Sequence, residues 1–222
     1  MYSDNILHQK VYLNILSNEQ REILPLIQHF YKDYVLVGGT AIALQLGHRE
    51  SIDFDLFTFK NKNQFKTIDE LSKISTFPIV KLRELKNQAH FTINGVKITF
   101  FNYPYRIKSS QKIDRIKMPT LLTLAAMKAF ALGGRAKWKD YVDLYFILTH
   151  GIALEEIIQT AKELFNTTST TVFSEKLFIE QLTYYKDISY EEEVIYAIKN
   201  PPTDDEIKAA LKQFSFAYID KR

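Results

Sequence analysis

The chain has no cysteine. That excludes a disulfide, a thiolate zinc site and a cysteine nucleophile. Its five histidines, His8, His29, His48, His90 and His150, are scattered, which argues against a histidine-built zinc site. No apolar run reaches the ~18 residues that a spanning helix needs. The opening MYSDNILHQK lacks the apolar stretch of a signal peptide. The expectation is a cytoplasmic protein with no membrane partner. Internal repeats and long low-complexity stretches are also missing. What is present is 222 residues, 46% hydrophobic and 25% charged, enough to bury the core of one large domain or two small ones.

Charge is unevenly spread although the formal net is only +3. Arg106 to Lys139 carries nine Lys/Arg against one acid, Asp114. Gly151 to Arg222 carries 13 acids and 8 bases. A basic middle suits a polyanion such as a nucleoside triphosphate or RNA. The plainer reading is a solubilising surface, and composition alone favours it.

Ser17 and Gln20 have capping-box spacing, and Ile23, Ile27 and Phe30 follow at helical intervals. Pro25 is expected to kink or shorten that helix. Tyr34–Val37 reads as a short apolar strand running into Gly38-Gly39-Thr40, with a helix over Ala41–Leu46. Ser51–Phe59 alternates, with Ile52, Phe54 and Leu56 on one face and Asp53 and Asp55 on the other. A polar helix is expected near Gln64–Ile74 and a strand over Ile79–Leu85. Asn94-Gly95 joins strands His90–Ile93 and Val96–Phe101 as a hairpin. Beyond Met118 the pattern turns helical: Thr120–Leu132 with Pro119 in its first turn, then Trp138–Leu148, Ile152–Phe165, Phe173–Tyr185 and Glu191–Lys199. Asn166–Thr171 reads as a polar loop. Thr203 and Glu206 cap a last helix. The expected division is a mixed α/β part, residues 1–112, and a helical part, residues 113–222.

Chemistry concentrates between Val37 and Phe57. Gly38 and Gly39 let backbone N–H groups approach a phosphate, and the following helix points its positive end there. Asp53 and Asp55 share a strand face ~6.6 Å apart. Two carboxylates on one face repel unless a cation such as Mg²⁺ or Mn²⁺ neutralises them, and that ion also bridges phosphate oxygens. A Gly-Gly turn or an Asp-x-Asp strand edge alone is weak; together, in this order, they are much stronger.

Gly38-Gly-Thr40 followed by His48-Arg-Glu-Ser-Ile-Asp-Phe-Asp-Leu-Phe57 resembles the AbiEii/AbiGii toxin-type nucleotidyltransferases, of the DNA polymerase β-like superfamily. Ala125-Ala-Met-Lys128, Gly134-Arg135 and Lys139-Asp140-Tyr-Val-Asp143-Leu-Tyr-Phe146 are similar to that family's downstream block. The likeness covers Tyr34 to Leu148. It implies an α/β (α+β) fold: a nucleotidyltransferase-type mixed sheet flanked by helices, then a C-terminal helical bundle. Helices 119–148 would complete the site.

The resemblance implies that Gly38, Gly39 and Thr40 hold the triphosphate and that Asp53 and Asp55 ligate Mg²⁺ or Mn²⁺. Lys128 and Arg135 would contact nucleotide phosphates, and Asp143 matches an acid important for activity. The reaction would be transfer of an NMP from an NTP, of the EC 2.7.7 type. The residues alone allow Lys128 to share the inward face of Leu121 and Leu124. They also allow Asp140, Asp143 and Lys139 to be a surface ion-pair cluster. Arg49 is open to phosphate binding or to pairing with Asp53, the latter favoured without nucleotide. Ser51 would share the Asp face. Many superfamily members carry a third carboxylate on the neighbouring strand, where Thr99 stands here. One reading is a degenerate binder; the favoured one is that two Asp ligands suffice, helped by Asp143 or by phosphates.

The leading function is a metal-dependent nucleotidyltransferase toxin acting on RNA, foremost tRNA, and silenced by an antitoxin. The alternatives are a transferase acting on a protein or small-molecule hydroxyl, and a nucleotide- or RNA-binding module without chemistry. Tyr184, Tyr185, Tyr190 and Tyr196 are candidates for base stacking, although half-buried helix contacts are the better reading.

Overall fold

A computed structural model describes residues 10–109, 111–113, 115–167 and 170–221. His8 and Asp114 lie outside them, as do two residues of the polar loop at 166–171. The chain opens with a 3₁₀ turn, Leu13–Ile15, and helix α1, Asn18–His29. Ser17 and Gln20 close the capping box as expected. Helix α1 is not shortened at Pro25, which sits within it.

Strand β1 (Val35–Val37) feeds α2 (Gly38–Leu46), so the helix starts at the glycine pair rather than at Ala41. Strand β2 (Asp53–Thr58) follows, buried at every second residue. Ile52 falls before the strand and is exposed, contrary to the alternation read through it. Then come α3 (Gln64–Ile74), β3 (Ile79–Leu85), β4 (Gln88–Ile93) and β5 (Val96–Asn102). The β4–β5 turn puts Asn94 and Gly95 at φ 50° and 78°, as an Asn-Gly hairpin requires.

The sheet order is β1-β2-β5-β4-β3, with β2 and β5 parallel and the other neighbours antiparallel. Phe54, Leu56, Phe91, Ile98 and Phe100 fill one face and are fully buried. The opposite face carries Asp53, Asp55, Lys97, Thr99 and His90.

A small hairpin, β6 (Gln111–Ile113) and β7 (Ile116–Met118), spans position 112 and was not expected; its strands are only three residues long. Five helices follow: α4 (Leu121–Leu132), α5 (Trp138–Thr149), α6 (Leu154–Phe165), α7 (Glu175–Thr183) and α8 (Asp204–Ile219). Thr120 caps α4, so Pro119 lies just outside the first turn, where its carbonyl accepts from Gln45. The helix expected over Glu191–Lys199 does not form. That segment is extended instead: Ala197 N donates to His48 O and Glu50 N donates to Ile195 O, while just before it Trp138 N donates to Ser189 O. Around Tyr196 its backbone pairs in strand-like fashion with residues 48–50, and this pairing overrides a modest helical pattern. One hydrophobic cluster runs from Ile15 through the sheet to Leu211.

Candidate active site

The exposed face of the sheet and α4 enclose a cleft of about 420 Å³. Its floor is Asp53, Asp55, Lys97, Thr99 and His90; Leu124, Met127 and Lys128 form the other wall. Gly38, Gly39, Thr40, Arg135, Lys137, Lys139 and Glu192 also border it. A second cavity of about 460 Å³, between the end of α4 and α7, is mostly apolar and holds neither aspartate pair.

Glycine is required at the start of α2 for steric reasons. Gly38 has φ +72°, and a Cβ there would sit 2.5 Å from Asp55 Oδ2. A Cβ on Gly39 would sit 2.5 Å from Arg49 Nη2. The cap residue, Val37, offers no side-chain acceptor, so the first N–H groups of α2 meet the cleft without one. The Thr40 hydroxyl is already used: it bonds Ser51 Oγ at 2.8 Å and the Asp53 carbonyl. Only the Thr40 backbone is left for a phosphate.

Asp53 and Asp55 are half-buried, side by side, and neither forms an ion pair among the described residues. Burial, and then the Asp55 charge, raise the Asp53 pKa above its ordinary value. Strand β5 pairs Lys97 with Asp53 and Thr99 with Asp55. Thr99 therefore occupies the neighbouring-strand position read from the sequence. No group of three or more His, Asp or Glu side chains among the described residues is arranged to hold a metal ion. Two adjacent carboxylates still match the donor set of Mg²⁺, which commonly takes one or two carboxylates and completes its shell with water and substrate phosphates.

The second pair, Asp140 and Asp143 on α5, has different surroundings. Both are fully buried, so the surface ion-pair reading is wrong. Arg49 grips Asp143 with two bonds, Nε to Oδ1 at 2.7 Å and Nη2 to Oδ2 at 2.8 Å. The expected Arg49–Asp53 pairing is replaced by this fork. His48 Nε2 lies 2.9 Å from Asp143 Oδ1 and Lys128 Nζ 2.9 Å from Oδ2. Lys128 also bonds Asp140, and Arg135 Nε is 3.4 Å from Asp140 Oδ2. Burial would raise Asp143, but Arg49, Lys128 and the His48 bond hold its carboxyl well below the usual range. Burial lowers His48, which is therefore neutral. The two buried cations, Arg49 and Lys128, balance the two buried anions, and the half-exposed Arg135 adds a third cation at the cluster's edge.

Sequence reasoning did not single out Lys137, Glu192 or His90, and it placed Lys139 with Asp143. Lys137 and Lys139 both bond Glu192, on the extended segment, so Lys139 does not pair with Asp143. Burial, and then the nearby Lys128 charge, push Lys139 down to about 8. His90 was legible: a two-residue turn at Asn94-Gly95 dictates that His90 faces Thr99, as it does. Of the tyrosines, Tyr185 bonds backbone carbonyls of Leu182 and Lys208, and Tyr190 packs on Trp138. These are packing contacts.

Similarity to known proteins agrees with this arrangement. A family model described as nucleotidyl transferase AbiEii toxin, Type IV toxin–antitoxin system, matches residues 26–118 and 95–219. An uncharacterised protein of Aquifex aeolicus is 30% identical over 213 residues, 92% of this chain and 98% of its own. MenT4, a nucleotidyltransferase toxin from Mycobacterium tuberculosis, superposes with a TM-score of 0.60 at 13% identity, covering 93% of this chain and 86% of that one. JHP933 from Helicobacter pylori gives 0.55 at 17%, covering 93% and 94%. These two likenesses bear on the fold. With a sheet whose Gly-Gly turn and paired aspartates open onto one cleft, and a family match spanning nearly all of it, the chain belongs to the AbiEii nucleotidyl transferase toxin family.

Proposed function

We propose that the protein transfers an NMP from an NTP to the hydroxyl of an RNA acceptor, foremost tRNA, as a toxin that a cognate antitoxin silences. The observation that carries this reading is the cleft's charge arrangement. Two carboxylates without an ion pair among the described residues lie on one side, and on the other lie Lys128 and Arg135, held by α5, with Lys137 and Lys139, held by Glu192. A triphosphate with its divalent cation complements both. Family membership supports the toxin role and the antitoxin partner. No described helix is long and apolar enough to cross a membrane. A cytoplasmic site of action follows from where NTPs and tRNA are found.

The roles divide by position. Backbone N–H groups of Gly38, Gly39 and Thr40 hold phosphate oxygens at the start of α2. Lys139 and Arg135 neutralise the triphosphate, and pyrophosphate leaves along them. Asp53 and Asp55 would hold Mg²⁺ or Mn²⁺, which when bound supplies charge stabilisation to the reacting phosphoryl group. Arg49, Lys128 and Asp143 fix α5 and α4 against the Gly-Gly turn, and so set the width of the cleft. The exposed part of the basic stretch meets the acceptor backbone.

The test is incubation with each α-labelled NTP, Mg²⁺ or Mn²⁺ and total tRNA, with an Asp53→Asn/Asp55→Asn control. Label on tRNA from the wild type alone supports the reading and names the nucleotide. A steep loss of transfer with rising salt marks a polyanionic acceptor; a small-molecule acceptor lacks that dependence. Label on the protein itself redirects the reading to a protein hydroxyl. NTP binding without label from any NTP overturns the tRNA reading for that pool and favours a binding module.

A further inference from the structure

Thr99 stands where the superfamily commonly has an acid, and its side chain is not idle. It lies directly across from Asp55 on one side and from His90 on the other, in adjacent strands of one sheet face. Thr99 Oγ1 and His90 Nδ1 are 3.3 Å apart, and both residues line the cleft that holds the aspartates. His90 Nε2 lies 3.4 Å from Gln88 Oε1. An amide oxygen only accepts, so the tautomer that satisfies this contact carries its hydrogen on Nε2. Nδ1 is then a lone-pair acceptor, and the Thr99 hydroxyl donates to it. The Thr99 oxygen keeps its own lone pairs for a hydrogen coming from the cleft. His90 faces Arg83 on β3, with Lys97 on β5 and Asp55 on β2 as the other charges around it.

We propose that Thr99 and His90 together replace the missing carboxylate as the proton acceptor for the attacking hydroxyl. This rests on the transferase reading. The acceptor hydroxyl gives its proton to Thr99 Oγ1 while the Thr99 proton moves to His90 Nδ1. The acceptor oxygen forms its bond to the α-phosphorus. The bond from that phosphorus to the bridging oxygen of the β-phosphate breaks, and pyrophosphate leaves with the electron pair. The imidazolium then returns its proton to water. Thr99 ends the cycle as it began. Burial, and then the Lys97 and Arg83 charges, lower the His90 pKa, so the ring is in its accepting form at neutral pH. Two neutral groups doing the work of an acid also avoid a third negative charge beside Asp53 and Asp55.

The test measures NMP transfer and NTP binding for wild type, His90→Gln, His90→Ala, Thr99→Val and Thr99→Ser. His90→Gln and Thr99→Val should each lower kcat on the order of 10²- to 10⁴-fold, the usual worth of general-base catalysis, with NTP affinity unchanged by calorimetry. Thr99→Ser should keep most of the rate, and free imidazole should partly rescue His90→Ala. Wild-type kcat/KM should rise with pH through a limb centred below the ordinary imidazole midpoint, ahead of the fall that discharge of Lys139 brings at higher pH, and His90→Gln should lose the rising limb. The double variant should be no slower than either single one, because both break one relay. Melting curves establish that each variant is folded. Wild-type transfer with His90→Gln within a few-fold of it and an unchanged pH limb overturns the relay and leaves the transferase reading standing. A wild type that binds NTP yet transfers nothing at any pH overturns both.

Discussion

Asp140 and Asp143 lie three residues apart on α5, fully buried, with Arg49, Lys128, Arg135 and His48 around them. Asp53 and Asp55 lie two apart on β2, half-buried, with no ion pair among the described residues. The sequence presents both pairs in the same way, as acids inside family motifs. Their surroundings give them opposite work. A buried carboxylate forked by arginine is held in its charged form by the fold itself, and what it contributes is position. A pair left facing a cleft keeps its repulsion until a ligand arrives, and in the proposed reading what it would contribute is affinity for a cation. The difference lies in which neighbours the topology brings. Asp143 meets residues 94 and 95 positions distant in sequence, whereas Asp53 and Asp55 meet each other.

The largest effect that breaks this contrast is on activity. Asp53→Asn is expected to reduce transfer to background while raising the melting temperature by about one or two degrees. The sign follows from linkage. The Asp53 pKa is raised in the folded state, so its ionised form is penalised there. The penalty is absent below the unfolded carboxylate pKa and fully present above the folded one, so removing the charge at neutral pH stabilises the fold. A transfer assay paired with a thermal melt reads both.

Next in size is the stability cost at the other pair. Asp143→Asn leaves Arg49 and Lys128 short of an anion and is expected to cost roughly 3–5 kcal/mol, a drop on the order of 10 °C. The Asp143 pKa is depressed, so its contribution is present above the unfolded carboxylate pKa and is lost as pH falls through the folded value. The variant should therefore lack part of the acid-unfolding transition seen in wild type, measured by circular dichroism against pH.

The first motif was readable from sequence for good reason. A strand that alternates, a glycine pair and an Asn-Gly hairpin are local devices, and the structure returns all three. Helices α3 and α5 likewise follow from their residue pattern, and α8 from its Thr203–Glu206 cap. What sequence withheld was pairing over distance. Nothing local links Arg49 to Asp143 rather than Asp53, or Glu192 to Lys137 and Lys139. The segment Glu191–Lys199 has helical spacing, yet it pairs in extended form with residues near His48. Tertiary partners decided that conformation.

A smaller effect sharpens the contrast at the cleft's positive side. Lys139 titrates at about 8, so NTP affinity of the wild type should weaken between pH 7 and 9 as the amine discharges. Lys139→Gln should bind NTP about tenfold more weakly at pH 7, equivalent to ~1.4 kcal/mol, and show little change over that interval. Calorimetric titrations at three pH values would check it.

The most direct test of the central contrast is a thermal melt with Mg²⁺ and a non-hydrolysable NTP analogue, repeated with the metal chelated. At saturation near 100 times Kd, binding should stabilise the wild type by about 2.7 kcal/mol, and chelation should remove much of that gain. Asp53→Asn/Asp55→Asn should show only the metal-independent part, held by the lysines and the start of α2. An equal, Mg²⁺-dependent shift in that double variant would contradict the account, because the cation would then be held somewhere other than the open aspartate pair.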